Sequence, residues 1–362
     1  MPSDPAAPAL LPRPRSMSLT GQTVGDQAPT TTIGAAGLRP EGYRLTISDE
    51  GVFIDAADEA GAFYARATLD QLRRTGDQGR VPEGRIEDWP TIPVRGVMLD
   101  VSRDKVPTMA TLTALIDRLA SWKLNHLQLY MEHTFAYADH EEVWQAASPF
   151  TADEIRELDR YCAERHMELT ANQNTLGHME RWLRLDRYRS LAISPDGFEM
   201  WGRRFDPMTV DPANPGSLRL ARELLGELLP NFSSTRVHVG LDEPWELPDE
   251  RFGDYADYIG LLRAAPELDG REMLIWGDIV AKEPASVGGL PDGVTICEWG
   301  YEAGHPFEAR CEVLAASGHR FWVCPGTSSW NSILGRMTNA KANIEEAVTA
   351  AVVHGATGLL VT

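Results

Sequence analysis

Residues 217–242 read SLRLARELLGELLPNFSSTRVHVGLD: an amphipathic helical stretch from Ser217 to Leu229, a turn through Pro230 and Asn231, and an apolar β-type run ending on a carboxylate. A helix feeding a short apolar strand is half of a parallel βα unit, because parallel strands need a crossover to bring the chain back to the same end of the sheet. Working outward, the alternation recurs on both sides. β-type runs begin at Val94 (VRGVMLD), Asn125 (NHLQLYM), Met167 (MELTANQ), Arg236, Glu272 (EMLIWGD), Gly293 (GVTICEW), Arg320 (RFWVCPG) and Thr357 (TGLLVT). Helical stretches cover 109–121, 152–165, 217–229 and 341–353. Eight strands and seven connections predict a (β/α)8 TIM barrel over residues 91–362. The competing arrangement, a doubly wound open sheet, is disfavoured: no GxGxxG or GxxxxGK[ST] loop follows any strand, and eight strands is large for an open sheet. No helical stretch follows the eighth strand, so the last barrel helix is expected to lie beyond Thr362.

Upstream, YRLTI (43–47) and GVFIDA (51–56) flank a Ser-Asp-Glu-Gly turn, and a helix is expected from Ala57 to Arg74, ended by TGDQGR. These predict a small α/β domain over residues 31–90. Residues 1–30, rich in Pro, Ala, Ser and Thr, are expected to be a flexible leader.

The 362 residues carry 34 Lys plus Arg against 53 Asp plus Glu, a formal charge of −19, with 43% hydrophobic content. That content supports a sizeable core and excludes wholesale disorder. The acidic balance and the lack of a basic run exclude a phosphate-backbone binder, so no nucleic-acid partner is expected. No run approaches the roughly 20 apolar residues of a membrane span, and MPSDPAAPALLPRPRSMSL is no signal segment, so a soluble cytoplasmic protein is expected. Cys162, Cys297, Cys311 and Cys324 are scattered and read as reduced, buried thiols. His133 and His178 lack HxH or HExxH spacing, so neither metal nor cofactor is expected. A homodimer is expected if the barrel's outer helices expose apolar surface.

In such barrels chemistry sits at the carboxyl ends of the strands. Those ends carry Asp100, with Arg95 earlier in the strand; Glu132 and His133; Asn172, Gln173 and Asn174, then His178; Asp242-Glu243-Pro244-Trp245; Trp276-Gly277-Asp278; Glu298-Trp299-Gly300-Tyr301; and Trp330-Asn331. Adjacent strand residues point to opposite faces, so Asp242 and Glu243 face one ligand only where the strand has ended. Pro244 supplies that break and biases Glu243 toward an extended conformation. Two close carboxyls against aromatic walls divide naturally into one proton-bearing acid and one anion. The plainer alternative is a solvated acidic loop or a helix-capping Asp. Neighbouring carboxyls do not readily flank a sugar about 5 to 9.5 Å apart, but they suit a substrate whose 2-acetamido oxygen is the nucleophile. Trp276, Trp299 and Trp330, after three successive strands, suit stacking on a pyranose. Whether Arg95 reaches the pocket depends on which face of its strand turns inward.

RGVMLDVSR (95–103), KLNHLQLYM (123–131), LGHMERWL (176–183), VGLDEPWEL (239–247) and EGYRLTISDEGVFIDAADEAGAFYARATL (41–69) together resemble glycoside hydrolase family 20, the β-N-acetylhexosaminidases, from roughly residue 9 onward. YMEHTFAY and NQNTLGHMERWL are similar to the hexosaminidase D-like branch. The resemblance implies an exo-acting retaining hydrolase of terminal β-linked N-acetylhexosamine on an oligosaccharide or small glycoside. Asp242 would orient the acetamido group and Glu243 would be the acid, then base. Arg95 would hold the 3- and 4-hydroxyls, His178 would stand beside the pocket, and Trp276 and Trp299 would form its wall. Glu132, His133, Asn174, Tyr301 and Trp330 complete the expected substrate contacts. Most members have Gly-Gly before the acid pair, where this chain has Gly240-Leu241, and an acidic residue where Asn172 to Asn174 stand. The tyrosine for the acetamido carbonyl is expected near Trp330, where the sequence reads SSWNS, leaving Tyr301 or an indole N–H as candidates. Those departures leave open a catalytically inactive sugar-binding barrel, and Arg95, Arg103 and His178 a hydrolase of sulfated or otherwise modified amino sugars.

Overall fold

A computed structural model describes residues 8–75, 79–103, 105–282 and 289–362. The chain divides into two compact units: Met1–Pro93 with Ala114–Asn125 and Glu164–His166, and the remainder.

The first unit holds strands β1 (Ser16–Gly25), β2 (Thr30–Ile33), β3 (Tyr43–Ser48), β4 (Gly51–Ala56) and β5 (Arg80–Asp88) in one sheet of order β1-β5-β3-β4-β2. Strand β3 alternates buried Tyr43, Leu45 and Ile47 with half-buried neighbours, the period of a sheet with one covered face. Helix Glu59–Thr75 packs Ala62, Tyr64, Ala65, Leu69 and Leu72 into the same core as Ile54, Val81 and Ile86. The leader expected over residues 1–30 is corrected from Ser16 onward, and its first seven residues lie outside the described ones. Ser16–Gly25 is an edge strand antiparallel to β5, with Met17 and Val24 against the core. Its sequence, SMSLTGQTVG, buries so little that its alternation is hard to tell from a polar coil.

The second unit is a closed parallel barrel. Its strands are β6 (Val94–Asp100), β7 (His126–Tyr130), β8 (Glu168–Asn172), β11 (Arg236–His238), β12 (Glu272–Trp276), β13 (Val294–Trp299), β14 (Arg320–Cys324) and β15 (Gly358–Val361). Each predicted run supplies one strand. Strand β15 pairs with β6 from Gly358↔Val94 to Val361↔Val97, so the ring closes through the strand itself. Helices Met109–Ser121, Ala152–Ala163, Pro215–Leu228 and Met337–His354 match the predicted crossovers. Helix Pro215–Leu228 starts on Asn214, whose side chain accepts the Gly216 N–H, with proline in the first turn where a missing N–H costs nothing. The barrel is filled by Val94, Met98, Tyr130, Leu274, Trp276, Cys297, Trp322, Cys324 and Leu360, and all four cysteines are buried. An antiparallel hairpin, β9 (Phe198–Met200) and β10 (Arg203–Phe205), rises between β8 and β11 and was not legible as strand.

Candidate active site

A cavity of about 630 Å3 opens at the carboxyl ends of the barrel strands. Strand β6 contributes Met98, Leu99 and Asp100 to it, followed by Arg103 and Lys105; β7 gives Tyr130; the segment after β8 gives His178; the turn after β11 gives Asp242 and Glu243; β12 gives Trp276; β13 and its sequel give Trp299 and Tyr301; and Ser329 to Ile333 and Thr362 close the far side.

The acid pair is held by local backbone geometry that few sequences tolerate. Gly240, Leu241 and Glu243 all have positive φ, at +74°, +75° and +46°. At Gly240 a Cβ would stand 2.2 Å from Asn174 Oδ1, so glycine is required. Leu241 has no such licence: a left-handed leucine costs roughly 1–2 kcal/mol, offset by complete burial of its side chain. The extended conformation expected for Glu243 from Pro244 is therefore corrected. Its N–H donates to Asp278 Oδ2 at 3.1 Å and its carbonyl accepts the Trp245 N–H at 2.7 Å, and these two bonds hold the left-handed turn. That turn replaces strand alternation and brings both carboxyls to one cavity.

His178 joins the two acids. Its Nε2 lies 3.2 Å from Asp242 Oδ2 and 3.3 Å from Glu243 Oε2, and its Nδ1 lies 3.6 Å from Glu132 Oε1. Burial pulls its pKa down, but the Asp242 charge, hydrogen bonds to both acids and the Glu132 charge outweigh that and hold the imidazole well above its ordinary value. The preceding Gly177 explains the Gly-His pairing: a Cβ there would sit 2.2 Å from the Asp242 carbonyl oxygen. Asp278 sits behind the pair. Its carboxyl is pushed up to about 7 by burial and by the Asp242 charge, and it also accepts the Trp299 indole N–H at 3.3 Å. Trp299 stacks on Tyr301 with ring centres 5.0 Å apart and planes 25° apart, and Tyr301 meets Trp330 edge-on at 4.5 Å.

The predicted site residues thus fall into two groups. Asp242, Glu243, His178, Trp276, Trp299, Tyr301 and Trp330 line the cavity. Glu132, His133 and Asn174 are buried outside its described lining. Asn174 Nδ2 donates to Tyr130 OH at 2.7 Å, so it fixes a lining residue from behind. Glu132 pairs with Arg103 at 3.1 Å, and burial pushes its carboxyl up to about 7 against the opposing Arg103 and His178 charges. Arg95 is not in the described lining. Val94 and Met98 face the barrel interior, so by alternation Arg95 belongs to the other face, and the cavity's guanidinium is Arg103, paired with Asp100 at 2.6 Å. Tyr130 is a lining residue that sequence reasoning did not single out; Arg103 was named only for a modified amino sugar, and Asp278, outside the described lining, was named at its strand end without a role. Asp278 was detectable at the end of Trp276-Gly277-Asp278, whereas Tyr130 closes an apolar run with nothing to mark it.

A parallel barrel presenting an Asp-Glu pair, a histidine between them and an aromatic wall around one cavity has the architecture of the glycoside hydrolase class. Residues 93–253 match the glycosyl hydrolase family 20 catalytic domain and residues 7–89 that family's domain 2; the chain belongs to glycosyl hydrolase family 20. It is similar to a beta-hexosaminidase of Akkermansia muciniphila, 26% identical over 260 residues covering 66% of this chain and 52% of the relative. It is also similar to a beta-hexosaminidase of Vibrio furnissii, 28% identical over 238 residues covering 56% and 37%. The chain therefore spans about half or less of the length of these relatives. Among solved structures, the family 20 β-N-acetylhexosaminidase of Streptomyces coelicolor superposes with a TM-score of 0.74 at 20% identity, over 98% of this chain and 86% of that one, a likeness of fold.

Proposed function

We propose that the protein removes terminal β-linked N-acetylhexosamine from a small glycoside or oligosaccharide by substrate-assisted catalysis. The observation that carries this reading is His178 Nε2 within 3.3 Å of both Asp242 and Glu243, which makes the adjacent acids one unit beside one substrate. Acids so close do not flank a sugar as a separate nucleophile and acid would, and they suit attack by the substrate's own acetamido oxygen. Asp242 accepts the amide N–H and balances the positive charge that develops as the acetamido oxygen bonds to the anomeric carbon. Glu243 gives its proton to the departing glycosidic oxygen, then takes one from the water that opens the oxazolinium intermediate. Trp276 and Trp299 wall the pyranose, and Tyr301 is the candidate donor to the acetamido carbonyl. The related hexosaminidases support the same substrate class.

The test compares nitrophenyl β-N-acetylglucosaminide, β-N-acetylgalactosaminide and β-glucoside. Hydrolysis of the acetamido sugars alone is expected. Equal rates on the glucoside, which lacks the internal nucleophile, overturn the mechanism; folded protein that binds N-acetylglucosamine without turnover favours a sugar-binding barrel.

A further inference from the structure

The hairpin β9–β10 carries a feature that neither its turn nor the core requires. Met200 pairs with Arg203 across a two-residue loop, Trp201-Gly202. Both loop residues are left-handed, with φ of +53° and +69°, the signature of a type I′ turn, whose first position favours Asn, Asp or Gly. A tryptophan there is strained, and its side chain is 75% exposed. Strain and exposure together in a bulky aromatic point to a use outside folding.

Its surroundings say which use. Trp201 meets Trp245 with ring centres 5.5 Å apart and planes at 67°, and Trp245 is itself 41% exposed. Trp245 lies two residues after Glu243 and donates its N–H to the Glu243 carbonyl at 2.7 Å, so its Cα is within about 7.6 Å of that of the general acid. Between them and the hairpin, Glu246 Oε2 accepts the Met208 N–H at 3.2 Å, tying the acid loop to the chain just beyond β10. Phe205 braces the tip from below, stacked on Phe198 at 5.6 Å and edge-on to Trp201 at 6.3 Å. Neither tryptophan belongs to the lining of that cavity.

We infer that Trp201 and Trp245 form an outer aromatic platform that binds the leaving-group side of the substrate, an oligosaccharide whose next pyranose rings stack on these two indoles. The inference rests on the hydrolase reading above, because it takes Glu243 to address the glycosidic oxygen. A ring attached through that oxygen emerges on the Glu243 side of the cavity, where Trp245 begins. Flat apolar rings take the C–H faces of successive pyranoses without dictating their hydroxyl pattern.

The experiment measures binding of N-acetylglucosamine and of its β1,4-linked trisaccharide by calorimetry in the Glu243→Gln background, where substrate is not consumed. The trisaccharide is expected to bind at least about tenfold tighter than the monosaccharide, and Trp201→Asn is expected to cut that advantage about tenfold. Trp201→Asn also installs the preferred type I′ residue, so its melting temperature is expected to equal or exceed the parent's, which separates binding from folding. Trp245→Ala is expected to lower the same ratio. No trisaccharide advantage in the parent, or an advantage unchanged in both variants, overturns the platform. Aryl-glycoside hydrolysis by the unmodified chain reports separately on the reaction: a platform ratio that responds to Trp201→Asn without such hydrolysis keeps this site and sinks the hydrolase reading.

Discussion

At the rim of the barrel, β7 and β8 end in Glu132, His133 and Asn172 to Asn174, whereas β12, β13 and the segments after β13 and β14 carry Trp276, Trp299, Tyr301 and Trp330. In the first region most polar groups bond within the protein, with Asn174 Oδ1 left unpaired. Gln173 Nε2 donates to the Glu132 carbonyl at 3.0 Å, Trp182 Nε1 donates to the same carbonyl at 2.8 Å, Asn172 Oδ1 accepts the Met131 N–H at 3.2 Å, and Asn174 bonds Tyr130. In the second region Trp276, Trp299, Tyr301 and Trp330 all line the cavity. Both regions interrupt their strands with residues that a barrel core would not choose, yet one bonds inward as a scaffold and the other lines the cavity, where the proposed function makes it a contact surface. The acid turn after β11 stands between them: Asn174 Oδ1 packs against Gly240 from the scaffold side and Asp278 holds Glu243 from the contact side.

The largest expected effect falls on that turn. Asp242→Asn keeps the shape and removes the charge opposite the developing cation, so kcat on aryl N-acetylhexosaminides is expected to fall about 10²–10³-fold. A fall of less than tenfold would place the counter-charge elsewhere, Asp278 being a candidate because it bonds the Glu243 N–H. Next comes the contact side. Trp299→Ala removes a pyranose-stacking face, and kcat/KM is expected to fall about tenfold, chiefly through KM, with little change in melting temperature.

The scaffold side is expected to behave in the opposite way. Asn174→Ala leaves the buried Tyr130 hydroxyl without its 2.7 Å partner, an unsatisfied group costing about 2 kcal/mol of stability. Urea unfolding is expected to register that loss while kcat/KM at 25 °C changes by less than threefold. A tenfold rise in KM without loss of stability would move Asn174 into the set of substrate contacts and erase the distinction between the two regions.

The strand order, the barrel and most crossover helices were legible because periodicity and segment length are local properties, as in RVHVGLD and SLRLARELLGELL. Strand β1 was not, because SMSLTGQTVG gains its place from β5, more than fifty residues later. The acid pair, the Gly-His motif and the aromatic wall were also legible from type and position. What could not be read was orientation. Arg95 was placed in the site by its motif, but the inward face of β6 is decided by Val94 and Met98, which join Trp322 and Leu360 in the barrel core. Glu243 was expected to be extended because of Pro244, but the Asp278 carboxylate, thirty-five residues away, fixes its backbone.

Glu132 gives the finest test of scaffold against contact, through its pH dependence. Burial raises its carboxyl to about 7 in the folded protein, whereas in the unfolded chain it titrates near its ordinary value of about 4.3. Between those values the folded state binds more protons than the unfolded state, so this group's contribution to stability is present at low pH and is lost as pH rises from about 4.5 through 7. Glu132→Gln holds the same shape without a titrating proton. Urea unfolding at pH 5 and pH 8 is therefore expected to show a smaller loss in the variant than in the parent, by at least about 1 kcal/mol. Some slope persists in the variant because Asp278, also raised to about 7 by burial and Asp242, titrates over the same window. If instead the variant is destabilised at pH 8 relative to the parent, the ion pair with Arg103 at 3.1 Å outweighs burial, and Glu132 acts as an anionic anchor for a cavity-lining arginine, which ties the two regions of the rim into one electrostatic unit.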